Sequence, residues 1–322
     1  MSWRVLRNIA LLVAISLVIQ TIPAEAGTDK RIGLLLWDED SRFIDCAKGV
    51  RDQLKSDGYG EPGVTITMEN AQGSKFKLVE LVTKFANAKP DMIVSLGTIP
   101  TIAVTKEIKD IPVVFGMVYD PVEAGIAKSW KSSGNNTTGA SPLIPMSTLV
   151  STLKEVRPVK TLAVLYTADE KQSRIQLLEL KKIQEHSQLK VIPVILSEKE
   201  DVTKVLASVV RAADAVYVTG ATMIGRIVPT IVEMASNARV VTITHLPDYV
   251  NKGVLIGVCA NPYFVGRLTG KKAVQVLRGA KPSAIPVETE KRVDLILNRK
   301  TAAAGQFQIP PSFMKKVTKT VE

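Results

Sequence analysis

Aromatic residues are scarce in this chain: seven phenylalanines, six tyrosines and three tryptophans among 322 residues. Hydrophobic residues still make up 46% of it. Core volume must therefore come from Val, Ile, Leu and Ala, the composition of parallel strands covered by helices on both faces. Histidine and cysteine are scarcer still, with two of each, all dispersed. Such a set does not assemble a zinc site. The G-x-S-x-G elbow, the H-E-x-x-H helix and the G-x-x-x-x-G-K-[ST] loop are missing, and no carboxylate stands out by its spacing. Neither catalysis, nor a metal, nor a cofactor is expected. Basic residues are in excess, with a formal net charge of +11, but lysines such as Lys48, Lys55, Lys75 and Lys84 are scattered. A nucleic-acid binder concentrates them on one face, so nucleic acid is not an expected partner.

One apolar run, from Ile9 to Ile19, is shorter than the roughly 20 residues a membrane span needs. Arg4 and Arg7 precede it and Pro23-Ala24-Glu25-Ala26 follows it, the plan of a signal peptide (residues 1–26) cleaved after Ala26. No cysteine near that point offers a lipid anchor, so the mature chain is expected to be periplasmic or secreted. An oxidising compartment permits a disulfide between Cys46 and Cys259. Two buried free thiols are the alternative, and geometry decides between them.

From Arg31 onward strands alternate with helices. Ile32–Leu36, Val64–Met68, Met92–Leu96 and Pro112–Val118 read as strands, with helices over Phe43–Leu54, Phe76–Phe85 and Pro100–Ile108 between them. A polar, turn-rich break follows at Lys131–Gly139, and then the alternation restarts. Strands at Thr161–Tyr166, Val191–Leu196, Ala215–Val218 and Val240–Thr244 are separated by helices over Gln172–His186, Val202–Ala212 and Ile224–Ala235. The tail adds strands at Val254–Val258 and Val293–Asn298 around a helix over Phe264–Leu277. This predicts two doubly wound parallel-sheet α/β lobes. The first would hold residues 27–136 plus 257–289 and the second 137–256 plus 290–322, hinged near Gly139, Val258 and Arg292.

In open parallel sheets ligands bind at the carboxyl ends of strands, and two facing sheets make a cleft suited to a small molecule. The strand ends therefore supply the candidates. Trp37 can cover an apolar ligand and offer its N–H, or stay in the core. Asp38 can meet a ligand cation or cap the next helix. Gly97 and Thr98 bring a flexible backbone, a hydroxyl and a helix start together, which suits a carboxylate. Tyr119 offers a stacking ring, and Asp120 before Pro121 a contact or a cap. The second lobe offers Tyr166, then Gly220 with Thr222, then His245, which is either a contact or a hydrogen-bonded structural residue. The expected ligand is a compact anionic or zwitterionic solute, such as an amino acid.

Several stretches carry a resemblance. Ser95-Leu96-Gly97-Thr98 comes first, then Ile111-Pro112-Val113-Val114-Phe115 and Asp120-Pro121-Val122-Glu123-Ala124-Gly125. Asn136-Thr137-Thr138-Gly139, Ala213-Asp214-Ala215-Val216-Tyr217-Val218, Leu277-Arg278-Gly279 and Ile285-Pro286-Val287 follow in order. By these the chain resembles ABC-transporter substrate-binding proteins of the tryptophan- and tyrosine-binding type. The resemblance implies a type I periplasmic-binding-protein fold with three crossings between lobes. It also implies a membrane permease with its cytoplasmic ATPase as partners, and ligand contacts at Gly97, Thr98, Tyr119, Asp120 and Thr222. Relatives often carry an acidic or amide residue where this chain has Gly220-Ala221-Thr222, and the loop Trp37–Asp40 is not typical of them. The expectation is a monomeric solute-binding protein of an importer; the alternative is a sensor subunit that docks on a membrane receptor.

Overall fold

The computed structural model describes residues 29–197 and 202–322; the expected signal peptide and its cleavage point lie outside the described residues. The chain forms two α/β lobes, each built on its own sheet.

The first sheet is wholly parallel, in the order β11-β5-β4-β3-β1-β2. Its strands are β1 (Lys30–Leu36), β2 (Val64–Asn70), β3 (Met92–Leu96), β4 (Val113–Gly116), β5 (Thr137–Ser141) and β11 (Glu288–Thr289). Helices α1 (Ser41–Ser56), α2 (Lys75–Ala88), α3 (Thr98–Glu107) and α10 (Pro262–Leu277) cover it. The central strands are buried on both faces, and every residue of β3 and β4 is buried. On α1, Phe43, Cys46, Ala47, Val50 and Leu54 recur at helical spacing and form its buried stripe. Helices α1 and α10 touch at backbone distance. A Cβ on Gly49 would lie 2.1 Å from the Tyr263 carbonyl oxygen, and one on Gly266 would lie 2.1 Å from that of Cys46.

The second sheet runs β13-β12-β10-β9-β8-β6-β7. It comprises β6 (Thr161–Tyr166), β7 (Lys190–Ile195), β8 (Ala215–Val218), β9 (Val241–Thr244), β10 (Ile256–Ala260), β12 (Val293–Asn298) and β13 (Lys319–Val321). Its helices are α4 (Met146–Val156), α5 (Lys171–Glu185), α6 (Val202–Ala212), α7 (Thr222–Arg226), α8 (Val228–Asn237), α9 (Pro247–Asn251), α11 (Arg299–Ala304) and α12 (Pro311–Met314). The sheet is parallel except between β10 and β12. β12 enters from the other lobe and so does not need the right-handed crossover that a parallel neighbour would.

Two of the three lobe boundaries fall later than the sequence suggested, and the third falls after Thr289. The turn-rich break ends in a strand: β5 pairs with β4 in the first sheet, and Thr137, Thr138 and Ser141 are fully buried. Their hydroxyls are satisfied locally, with Thr138 donating to the Ile285 carbonyl at 2.9 Å and Thr137 to Asn135 at 2.7 Å, so threonine does not mark a loop here. β10 likewise stays with β9 in the second sheet. The chain therefore crosses after Ser141, after Ala260 and between Thr289 and Val293. Gly139 and Val258 lie inside strands rather than at hinges; only Arg292 lies in a crossing, stacked 3.5 Å over the Phe264 ring. The helix expected over Ile224–Ala235 is two helices. Pro229 lacks the N–H a continuous helix would need, and it opens α8 instead. Cys46 lies in α1 and Cys259 in β10, and both are free and buried.

Candidate functional site

A cavity lies between the lobes at the carboxyl ends of the strands. From the first lobe, Trp37 and Phe43, Gly97 to Ile99, and Met117 with Tyr119 line it. From the second lobe come Gln172 and Gln176 on α5, Gly220 after β8, and His245 with Leu246 after β9. Pro142 belongs to the first crossing. The cavity holds about 60 Å³. An outer groove of about 690 Å³ flanks the β2 edge at Arg51, Lys55 and Tyr59. That groove stands away from the strand ends and contains no buried side-chain atom left without a partner.

The small volume is that of a cleft already shut. Trp37 Nε1 donates to Thr222 Oγ1 across it at 3.2 Å. Tyr119 Oη donates to Glu179 at 2.7 Å, and Lys171 reaches the Ala124 carbonyl at 3.0 Å. At the rim Lys75 pairs with Asp169 at 2.8 Å. Deeper in, Arg42 from α1 pairs with Asp248 of α9 at 2.9 Å and with Asp40 at 2.8 Å. Asp248 also accepts from the Arg42 N–H at 3.0 Å and from the Ser41 hydroxyl. Burial would weaken the Arg42 proton, but the surrounding carboxylates, Asp248 foremost, outweigh it and hold its pKa above the ordinary value.

Gly97 shapes the first-lobe wall. Its φ of +113° suits glycine, and an added Cβ would press the Phe43 ring at 3.1 Å. That turn aims the start of α3 into the cavity, where the first helical N–H groups lack intrahelical partners. Pro100, third in the helix, has no N–H to leave unpaired. Met117 holds a left-handed φ of 57° just before Tyr119, local strain of the kind that collects at binding sites.

The second-lobe wall is polar and incompletely paired. His245 is 7% exposed; its Nδ1 lies 2.7 Å from the Tyr217 hydroxyl and its Nε2 3.2 Å from Gln176 Nε2. Burial first, and Arg42 second, push its pKa down to about 3, so it is neutral at physiological pH. Gln172 donates to Glu170, which also accepts from the Thr222 N–H at 2.8 Å. Burial raises the Glu170 carboxyl above its ordinary value of 4.5. The Oε1 atoms of Gln172 and Gln176 and the hydroxyl of Thr219 are buried without a partner. Each such group costs about 1–3 kcal/mol unless something supplies the missing bond.

Of the residues singled out in the sequence, Trp37, Gly97, Thr98, Tyr119, Gly220 and His245 meet at this cavity. Four do not line it. Asp38 turns back to accept from the Asp40 N–H at 2.9 Å and lies 3.9 Å from Arg42. Asp120 accepts from the Val122 and Glu123 N–H groups at 2.9 and 3.0 Å and caps that turn. Tyr166 packs against the core. Thr222 seals the cleft by its bond to Trp37. Arg42, Gln172 and Gln176 also line the cavity, and the sequence does not single them out. Their signal was faint: Arg42 stands just inside a helix after three acidic residues, and Gln172 and Gln176 sit one turn apart at the start of an amphipathic helix.

Known proteins share this architecture. A tyrosine-binding protein of Clostridioides difficile (strain R20291) is 28% identical over 282 residues, which is 87% of this chain and 81% of that protein. The ABC domain of a Streptococcus pneumonia protein, solved in complex with L-Trp, is 27% identical. It superposes with a TM-score of 0.84 and covers 91% of this chain and 100% of its own. A substrate-binding protein with adhesive properties from Clostridium difficile, in its ligand-free, open form, is also 27% identical. It covers 91% of this chain and 99% of its own, at a TM-score of 0.74. At equal identity, the present lobe arrangement is nearer the L-Trp-bound shape than the open one. The sequence pattern of the ABC transporter substrate binding proteins matches residues 36–321, and the chain belongs to that family.

Proposed function

We propose that this chain is the extracytoplasmic solute-binding subunit of an ABC importer. It would close over a compact amino-acid-like carboxylate and present it, chemically unaltered, to a membrane permease. The observation that carries the proposal is the cavity itself: a helix start at Gly97-Thr98, rings from Trp37, Phe43 and Tyr119, and unpartnered amide oxygens on the opposite wall. The helix start suits a carboxylate, the rings an apolar or aromatic side chain, and the amide oxygens an N–H donor. The ligands named for the relatives, tyrosine and L-Trp, have all three parts. The closed form binds more tightly because both walls touch the solute, so ligand shifts the population toward it.

The test is isothermal titration of the mature protein with the common L-amino acids, L-tyrosine and L-tryptophan first, followed by small-angle scattering. Saturable binding of an amino acid with a fall in the radius of gyration is expected. Binding only of neutral sugars or nucleosides, or an unchanged radius at saturation, sinks the reading.

A further inference from the structure

Among the described residues no carboxylate lines the cavity, although an α-amino acid brings an ammonium group into it. Arg42 is the cation on its wall, and three aspartates already surround it. Among the described residues the second-lobe wall offers another way to hold the ammonium of a bound amino acid.

We propose that the ligand's amino group sits on the carbonyl oxygens of Gln172 and Gln176, with Glu170 supplying the countercharge from the layer behind. The inference rests on the proposed amino-acid ligand and names the residues that would recognise its amine. Both oxygens are buried and lack a hydrogen-bond donor. The two glutamines stand four residues apart on α5 and so share one face. Gln172 is oriented by its neighbour: its amide nitrogen donates to Glu170, and its oxygen is left without a donor. The second Glu170 oxygen is taken by the Thr222 N–H at 2.8 Å. The negative charge of Glu170 thus polarises the Gln172 amide, and its oxygen becomes the better acceptor for a cation. Gln176 is 1% exposed, and its amide nitrogen is engaged at 3.2 Å with the neutral ring of His245, which leaves its oxygen over.

The same chain of bonds couples the amine to closure. Glu170 binds the Thr222 backbone, and the Thr222 hydroxyl accepts the Trp37 indole N–H from the other lobe. A ligand that anchors Gln172 steadies Glu170 and, through it, the residue on which the cleft shuts.

The experiment compares each amino acid with its deaminated analogue. L-tryptophan is paired with 3-(indol-3-yl)propanoate, and L-tyrosine with 3-(4-hydroxyphenyl)propanoate. Affinities are measured by calorimetry on the wild type, Gln172→Met and Gln176→Met. Methionine keeps the length of the side chain and removes the acceptor. The wild type should favour the amino acid over its analogue by about tenfold or more, as expected for hydrogen bonds to a charged group. Each variant should lose most of that preference while its affinity for the propanoate stays within about threefold. A preference that survives in both variants overturns the assignment and leaves the amino-acid reading standing. Equal weakening of amino acid and propanoate means the glutamines act through shape alone, and also overturns it. A wild type that binds no amino acid overturns the ligand reading and this inference with it. Ligand-free melting curves check that the variants fold; if Gln176→Met does not, Gln172→Met, at a half-buried position, carries the test alone.

Discussion

Two buried polar clusters lie at the same cleft, and they differ in how completely they are paired. Around Arg42 every charge has a partner: Asp248 and Asp40 hold the guanidinium, and Asp248 also takes the Ser41 hydroxyl and the Arg42 N–H. Around Glu170 the pairing stops short, with oxygens of Gln172 and Gln176 left over. Buried polar groups in native proteins are nearly always satisfied. The complete cluster is therefore read as part of the closed frame, and the incomplete one as the place where something from outside completes it. Both clusters are buried, so burial alone would not have told them apart.

The largest effect should come from breaking the complete cluster. Asp248→Ala leaves the buried guanidinium to Asp40 and strips the Ser41 hydroxyl and the Arg42 N–H of their acceptor in the closed form, at a cost of about 3 kcal/mol. Because the pair spans the lobes, that cost falls on closure, and solute affinity should drop on the order of 100-fold by calorimetry. An unchanged affinity would mean that the cluster plays no part in shutting the cleft.

The incomplete cluster should instead respond to pH. Burial raises the Glu170 pKa, with Asp169 adding to the shift. The sign follows from linkage. A group whose pKa is raised by folding lends stability that is fully present below 4.5, its ordinary value, and lost as pH rises through the raised value. Amine binding runs the other way, because it needs Glu170 charged. As pH falls through that raised value the affinity for an amino acid should therefore fall, and Glu170→Gln should flatten the profile. A profile with the same slope in the variant would place the titrating group elsewhere.

A smaller loss tests the contact that joins the two lobes above the ligand. Trp37→Phe removes the donor to Thr222 and keeps a ring, so affinity should fall by about fivefold, the worth of one hydrogen bond of about 1 kcal/mol. Thr222→Val should give a similar loss, and the double variant little more. The smallest effect, none at all, is expected from reduction. Cys46 and Cys259 are free, and burial pushes both thiols up. Dithiothreitol should shift neither the melting temperature nor the affinity, whereas a shift would put a covalent link where the clusters are credited with the closure.

Most of the fold was legible because it rests on runs such as Ile32–Leu36 and Met92–Leu96, whose burial on both faces leaves no other reading. β5 was not legible, because Thr-Thr-Gly-Ala-Ser looks like a turn until the β4 edge and the Ile285 carbonyl satisfy it. At the site, strand ends carried the information: Trp37, Gly97 and Tyr119 each follow a strand. Arg42 and the two glutamines lie inside helices, where their roles depend on what the fold places against them: Asp248 of the other lobe for Arg42, Glu170 and His245 of their own lobe for the glutamines. Asp38 and Asp120 were ambiguous in principle, since a carboxylate that can meet a ligand can also take backbone N–H groups two or three residues on, and here both do.

The backbone contact between α1 and α10 bears on how the chain is made. α1 is synthesised near the beginning and α10 some two hundred residues later, yet Gly49 and Gly266 place them in direct contact within one lobe. β11, at the edge of that same sheet, comes later still, and the other lobe waits for β12 and β13. Neither lobe can complete its hydrophobic core while the ribosome is still holding the last quarter of the polypeptide. Lobes with such distant contacts fold slowly, so the first segments made wait longest for their partners.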